Sequence, residues 1–121
     1  MTNKVIPVLR IFDYNKAKEF YCDWLGFKID WEHRFDDNSP IYMQISLGDI
    51  LLHLSEHHGD SSPGAKVLIQ YDGLEAYHQE LIAKNYKYNK PGLEHAFWNA
   101  LTVTVSDPFY NKLEFNEPKE Q

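Results

Sequence analysis

The chain spells one order of elements twice, and few folds accommodate that. Residues 5–11 are apolar and rich in β-branched side chains, which favours a strand. Asp13 then reads as a helix N-cap, because its carboxylate can accept the free amides of a first turn. Ala17, Phe20, Tyr21 and Trp24 follow at helical spacing, and Gly26 stands where a helix can end in a left-handed residue. Three strands come next. Over residues 27–35, Phe27, Ile29, Trp31, His33 and Phe35 alternate with Lys28, Asp30, Glu32 and Arg34, so each set takes one face. Residues 41–46 and 50–55 are the other two strands, joined by a turn at Gly48-Asp49.

After a polar loop over residues 57–64 the order resumes. A strand covers residues 66–71. Asp72-Gly73-Leu74-Glu75 fits a capping box. Ala76, Tyr77, Leu81 and Ile82 mark a helix that Asn85 can end. Residues 86–89 read as extended, 91–96 as irregular, 99–106 and 112–116 as strands, and 117–121 as a charged, frayed tail. One constant offset carries Asp13 onto Asp72, Ala17 onto Ala76, Phe27 onto Tyr86 and Lys28 onto Lys87. The repeated order predicts an α+β fold in one domain. It consists of two tandem βαβββ modules, about residues 4–58 and 64–117, whose curved sheets surround a shared groove.

Composition removes several function classes. The formal charge is -6 and the basic residues are scattered, which argues against a nucleic-acid partner. No stretch approaches the ~18 consecutive apolar residues of a membrane helix. The opening residues run into the first strand without the apolar core of a secretory signal, and Cys22 is the lone cysteine. A cytoplasmic protein is therefore expected. No Gly-rich phosphate loop is present, and no nucleophile stands beside a base at a recognisable local spacing. Aromatic residues make up 15% of the chain, available for core, interface or ligand stacking.

Three local patterns carry a resemblance that spans about residues 4–117. They are Val5-Ile6-Pro7-Val8-Leu9 leading to Asp13, Phe20-Tyr21 and Leu25-Gly26-Phe27; Gly48-Asp49 leading to the run from Leu52 through His57-His58-Gly59-Asp60; and Asp107-Pro108-Phe109-Tyr110-Asn111 leading to Leu113-Glu114-Phe115. The sequence resembles the vicinal-oxygen-chelate superfamily of glyoxalases, bleomycin-resistance proteins and extradiol dioxygenases, and within it the bleomycin-resistance branch. Two positions depart from the family pattern. Tyr110 stands where the late turn usually has Gly, so Asn111 is expected to carry the strained conformation, and Asn99 follows Trp98 where Gly is usual.

Metal-dependent members place one ligand on each of four strands. By the resemblance those positions fall at Ile6, His53, Lys66 and Glu114. Ile6 offers no donor atom and Lys66 is a cation, so no metal and no other cofactor is expected. His53 and Glu114 remain the candidate pair for the alternative, a metal-dependent lyase, dioxygenase or thiol transferase. Without a metal, His53 could hydrogen-bond Glu114, or Lys66 could pair with Glu114.

The resemblance favours a binding protein without catalytic residues. It implies an aromatic, acidic cleft at a homodimer interface that sequesters a planar, cationic, bleomycin-like ligand, as antibiotic-resistance proteins of this branch do. Trp31, Phe35, His53, Trp98 and Glu114 are the expected ligand-binding residues, with Glu32, Asp36, Asp37 or Glu94 available to a positive amine. Core or dimer packing is the alternative role for Trp31 and Phe35. Pro7 resembles the hinge at which a first strand crosses to a partner subunit. A proline on the edge strand of a monomer is the alternative.

Overall fold

A computed structural model describes residues 3–119. The first module contains β1 (Val8–Arg10), α1 (Tyr14–Lys18), β2 (Lys28–Arg34), β3 (Ile41–Leu47) and β4 (Ile50–Ser55). The second contains β5 (Lys66–Gln70), α2 (Leu74–Ala83), β6 (Glu94–Ala96), β7 (Ala100–Ser106) and β8 (Lys112–Pro118). Each module is a βαβββ unit with its own open, four-stranded mixed sheet. The strand orders are β1-β4-β3-β2 and β5-β8-β7-β6, with the first and last strands of each module parallel.

Alternation on the strands decides which face is covered. Ile41, Met43 and Ile45 of β3 point inward with Leu52 and Leu54 of β4. Val103 and Val105 of β7 do so with Leu113 and Phe115 of β8. These side chains join Ala17, Phe20, Tyr21 and Trp24 of the first module and Leu74, Tyr77 and Leu81 of the second in one continuous core. Polar bonds cross the same seam. The Trp24 indole N–H donates to the Leu81 carbonyl (3.0 Å) and the Tyr77 hydroxyl to the Leu25 carbonyl (2.6 Å). Both sheets thus spend one face on a common interior and leave the other face open.

The two helices begin by different means. Asp13 caps α1 as expected, accepting from the Lys16 amide at 3.0 Å. Beyond Lys18 the helix widens into a π-helical segment (Glu19–Trp24), where the Leu25 amide bonds to the Phe20 carbonyl. Leu25 ends it and Gly26 follows at φ 93. The capping box at Asp72 does not form. Gly73 is the N-cap at φ 80 with no side chain to offer, and the Glu117 carboxylate supplies the cap from β8. It accepts from the Gly73 amide at 2.8 Å and the Leu74 amide at 3.1 Å. The expected frayed tail is therefore wrong up to Pro118, because β8 continues that far and Glu117 is needed there. Residues 120 and 121 of that tail lie outside the described residues.

Other expectations also shift. The second strand of the second module lies at Glu94–Ala96, in the stretch read as irregular, and not at 86–89. The strand expected over residues 5–11 is regular only from Val8. The sequence offset does not hold in burial, since Ala17 is buried whereas Ala76 is exposed. Element order repeats, but individual residues do not correspond.

Candidate functional site

The open face of the first sheet carries a bonded aromatic group. Val8, His53, Gln44 and Trp31 form one row across all four strands. Trp31 reaches this face because of a β-bulge. Ile29 pairs with Ile45 and Trp31 with Gln44, so Asp30 is an extra residue that breaks the alternation. Phe27 and Ile29 consequently pack on the core side while Trp31, 43% exposed, stands on the open side. The single shared face expected for residues 27–35 is thereby corrected. Phe35 lies past the end of β2, 88% exposed, and its ring pairs with neither Trp31 nor His53. It is not part of this group.

Trp31 is parallel to Tyr42 within 13°, ring centres 6.0 Å apart, and meets His53 edge-on at 5.3 Å. The bonds beneath it form a chain. Ser46 donates its hydroxyl and Gln44 its amide to the Asp30 carboxylate, each at 2.9 Å. His53 Nε2 lies 3.0 Å from Gln44 Oε1, and His53 Nδ1 lies 2.7 Å from the Tyr42 hydroxyl. Desolvation lowers the His53 pKa below its ordinary value of 6.5, so the ring is neutral at neutral pH. The bond to Gln44, with a further one to Ser46, lowers that of Asp30, which keeps a negative charge on this face.

Trp98 and Glu114 lie on the second sheet. Glu114 is nearly buried and pairs with Lys66 at 3.0 Å, one of the two pairings open from sequence. The other, His53 with Glu114, does not form. Trp98, half exposed, donates its indole N–H to Asn116 Oδ1 at 2.9 Å. Gln70, Asn116, Thr102 and Glu94 make one row of this sheet, so Glu94 shares the face with Trp98. Of the other acidic candidates, Glu32 accepts from the Tyr14 hydroxyl, and Asp36 and Asp37 belong to the β2–β3 turn. Among the described residues no hydrogen bond, ion pair or aromatic contact joins the Trp31 group to the Trp98 group.

The donor set does not fit a catalytic metal. His53 has both ring nitrogens engaged, Glu114 is held by an ammonium group, and the two sit on different sheets. Among the described residues no three His, Cys, Asp or Glu side chains are placed to share an ion. Pro7 sits where the chain joins the first sheet, its carbonyl accepting from the His53 amide at 2.9 Å. Val5, just before it, is 90% exposed.

A buried knot closes the late turn. Asp107 accepts from the amides of Phe109 and Asn111, from the Asn111 side chain, and from the Tyr21 hydroxyl at 2.7 Å. Desolvation outweighs these donors and raises the Asp107 pKa. Asn111 also donates to the Arg10 carbonyl at 2.8 Å, tying the modules together. Tyr110 takes the left-handed conformation at φ 73, and the expectation that Asn111 would do so is wrong. Asn111 is fully buried with its side chain bonded, whereas Tyr110 is exposed and can absorb the strain. Asn99, after Trp98, adopts φ 61.

Sequence reasoning missed Tyr42, Gln44 and Asp30. The first two were legible. Ile41, Met43 and Ile45 alternate with Tyr42, Gln44 and Ser46, which marks a polar open face on β3. No local signal announces the bulge that delivers Asp30.

No helix among the described residues is long and apolar enough to cross a membrane. A family model described as glyoxalase superfamily protein matches residues 1–121. Among curated proteins no sequence matches. Several solved structures share the fold. A bleomycin-binding protein complexed with bleomycin is 21% identical with a TM-score of 0.72, over 98% of this chain and 100% of that one. The bleomycin resistance determinant encoded on the transposon Tn5 is 20% identical with a TM-score of 0.74 and the same coverage. An antibiotic-binding protein from Streptomyces sp. CB03234 is 17% identical with a TM-score of 0.73, over 98% of each chain. The chain belongs to the glyoxalase superfamily and has the fold of its bleomycin-binding proteins.

Proposed function

We propose that this protein binds a planar, cationic, antibiotic-like molecule in a cleft between two copies of the chain and performs no chemistry on it. The observation that carries this reading is the Trp31 group, where a half-exposed indole lies over Tyr42 and His53 beside the ionised Asp30. An exposed aromatic surface with an adjacent carboxylate suits a flat cation, which gains stacking, cation–π and charge attraction together. The relatives with bound or named antibiotics support the same ligand class.

The homodimer rests on exposed apolar side chains and on incompleteness. Trp31 on one open face and Leu68 and Trp98 on the other are exposed. Trp31 and His53 stand on one open face and Trp98, Glu94 and Glu114 on another, so a single copy offers two half-sites. Apposing the first sheet of one copy with the second sheet of its partner joins them into two equivalent clefts. Pro7, after the exposed Val5, is the point from which the leading segment can cross to the partner.

Calorimetric titration with a bleomycin-class drug tests this. Saturable binding at one drug per cleft is expected, and Trp31→Ala or Trp98→Ala should each weaken it by about tenfold. Absence of heat with the wild-type protein would rule out the reading for this drug class. Stoichiometric, tightly held transition metal in purified protein would rule out the metal-free mechanism.

A further inference from the structure

The bonds under Trp31 determine the direction of every proton in the chain from Asp30 to Tyr42. Asp30 is ionised and can only accept, so the Gln44 atom facing it must be the amide nitrogen. Gln44 therefore turns its carbonyl oxygen to His53, and His53 Nε2 must carry a hydrogen to meet it. A neutral imidazole has one hydrogen, so Nδ1 is bare and accepts from the Tyr42 hydroxyl. Tyr42 has then used its proton and shows only lone pairs to the space beside Trp31. The imidazole is spent at both nitrogens. What remains facing outward is the Tyr42 oxygen, the free lone pairs of the Asp30 carboxylate, and a single amide hydrogen of Gln44.

We propose that this face selects its ligand by hydrogen-bond donors, so that the molecule taken is a planar cation bearing N–H groups at its edge, with Tyr42 and Asp30 as the specificity-determining acceptors. This rests on the planar-cation reading above and adds to it a requirement that charge and flatness do not contain. His53 is a positioning residue here. It touches no ligand and aims the Tyr42 proton inward. A flat cation without N–H groups can still stack on Trp31, but it leaves the two acceptors desolvated without a partner, and that penalty is the discrimination. Sites that hold fixed polar groups reject ligands lacking the matching group far more strongly than apolar sites reject a change of size.

The test compares aminoacridine with N-methylacridinium. Both are flat cations on the same ring system, and only the first carries N–H donors. Fluorescence titration of the wild-type protein should show aminoacridine bound at least about tenfold tighter. Tyr42→Phe should remove most of that ratio, with N-methylacridinium bound no more weakly than by the wild type, because it no longer leaves the Tyr42 oxygen without a partner. Asp30→Asn should weaken both dyes and reduce the ratio. Ring-nitrogen NMR of the unliganded protein gives a second readout that needs no ligand. His53 should be the Nε2–H tautomer in the wild type and a mixture in Asp30→Asn, where an asparagine can face either end of the Gln44 amide. Equal affinity for the two dyes overturns the donor requirement and leaves the planar-cation reading standing. Binding of neither dye overturns both. A wild-type His53 with its hydrogen on Nδ1 overturns the proton order on which the selection depends.

Discussion

Tyr110 is a residue held in a conformation its side chain resists. At φ 73 its Cβ crowds the following carbonyl, and its ring, 80% exposed, recovers little by packing. The knot around Asp107 enforces this, because the Tyr110 amide bonds to the Asp107 carbonyl and the next residue, Asn111, is bonded on every side. Tyr110→Gly should therefore stabilise the protein by about 1 kcal/mol, the relief of one left-handed non-glycine residue less the greater chain entropy of glycine when unfolded. Urea denaturation monitored by tryptophan fluorescence checks it, and a lower midpoint for the variant would contradict it. The Tyr21 hydroxyl in the same knot has its pKa raised, by burial first and by the Asp107 carboxylate next to it. It thus stays protonated and serves as a fixed donor.

At the scale of elements, α2 depends on a side chain from another strand. A glycine N-cap leaves the first amides of the helix without a local acceptor, and Glu117 satisfies two of them from β8. Its negative charge at the positive end of the helix adds a favourable dipole interaction. Glu117→Ala should cost about 1–2 kcal/mol of global stability. It should also raise hydrogen exchange at Leu74 and Tyr77 more than in β3. Exchange rising equally in all elements would mean that Glu117 does not act through the helix start. Element β2 depends on its bulge in the same nonlocal way. One extra residue, Asp30, moves Trp31 from the core side of the sheet to the side where Tyr42 and His53 stand, and so creates the candidate site.

At the scale of the whole molecule, two sheets share one core and leave two open faces, each with an exposed tryptophan. On the second face, Leu68 of the edge strand β5 is 56% exposed next to the Lys66–Glu114 pair, and Phe97 and Trp98 are also exposed. A face with this much apolar surface on a chain of net charge -6 is suited to a partner that covers it. Sedimentation velocity should find a dimer, and Leu68→Glu should convert it to a monomer without unfolding it, because that side chain contributes nothing to the core. On the proposed two-copy cleft, drug binding should be lost with the dimer. A Leu68→Glu monomer that binds the drug with unchanged affinity would place the whole site within one chain.

Local chemistry in the sequence was enough for the repeated βαβββ order, the Asp13 cap and the Gly26 helix end. Each of these follows from the period of a strand or helix and from residues a few positions apart. His53 was singled out by the family resemblance, and the structure sets it on an open face between the inward Leu52 and Leu54. What only the tertiary structure decided has partners far apart in the chain. Glu117 caps a helix that starts at Leu74, Asp30 bulges against β3 and reverses the side on which Trp31 lies, and Tyr42 and Gln44 fix the protons of His53 across strands. Periodicity assumes an unbroken ladder and names no long-range partner. One inserted residue, or one carboxylate arriving from another strand, escapes it because the cause is the register and approach of chains that the sequence lists far apart.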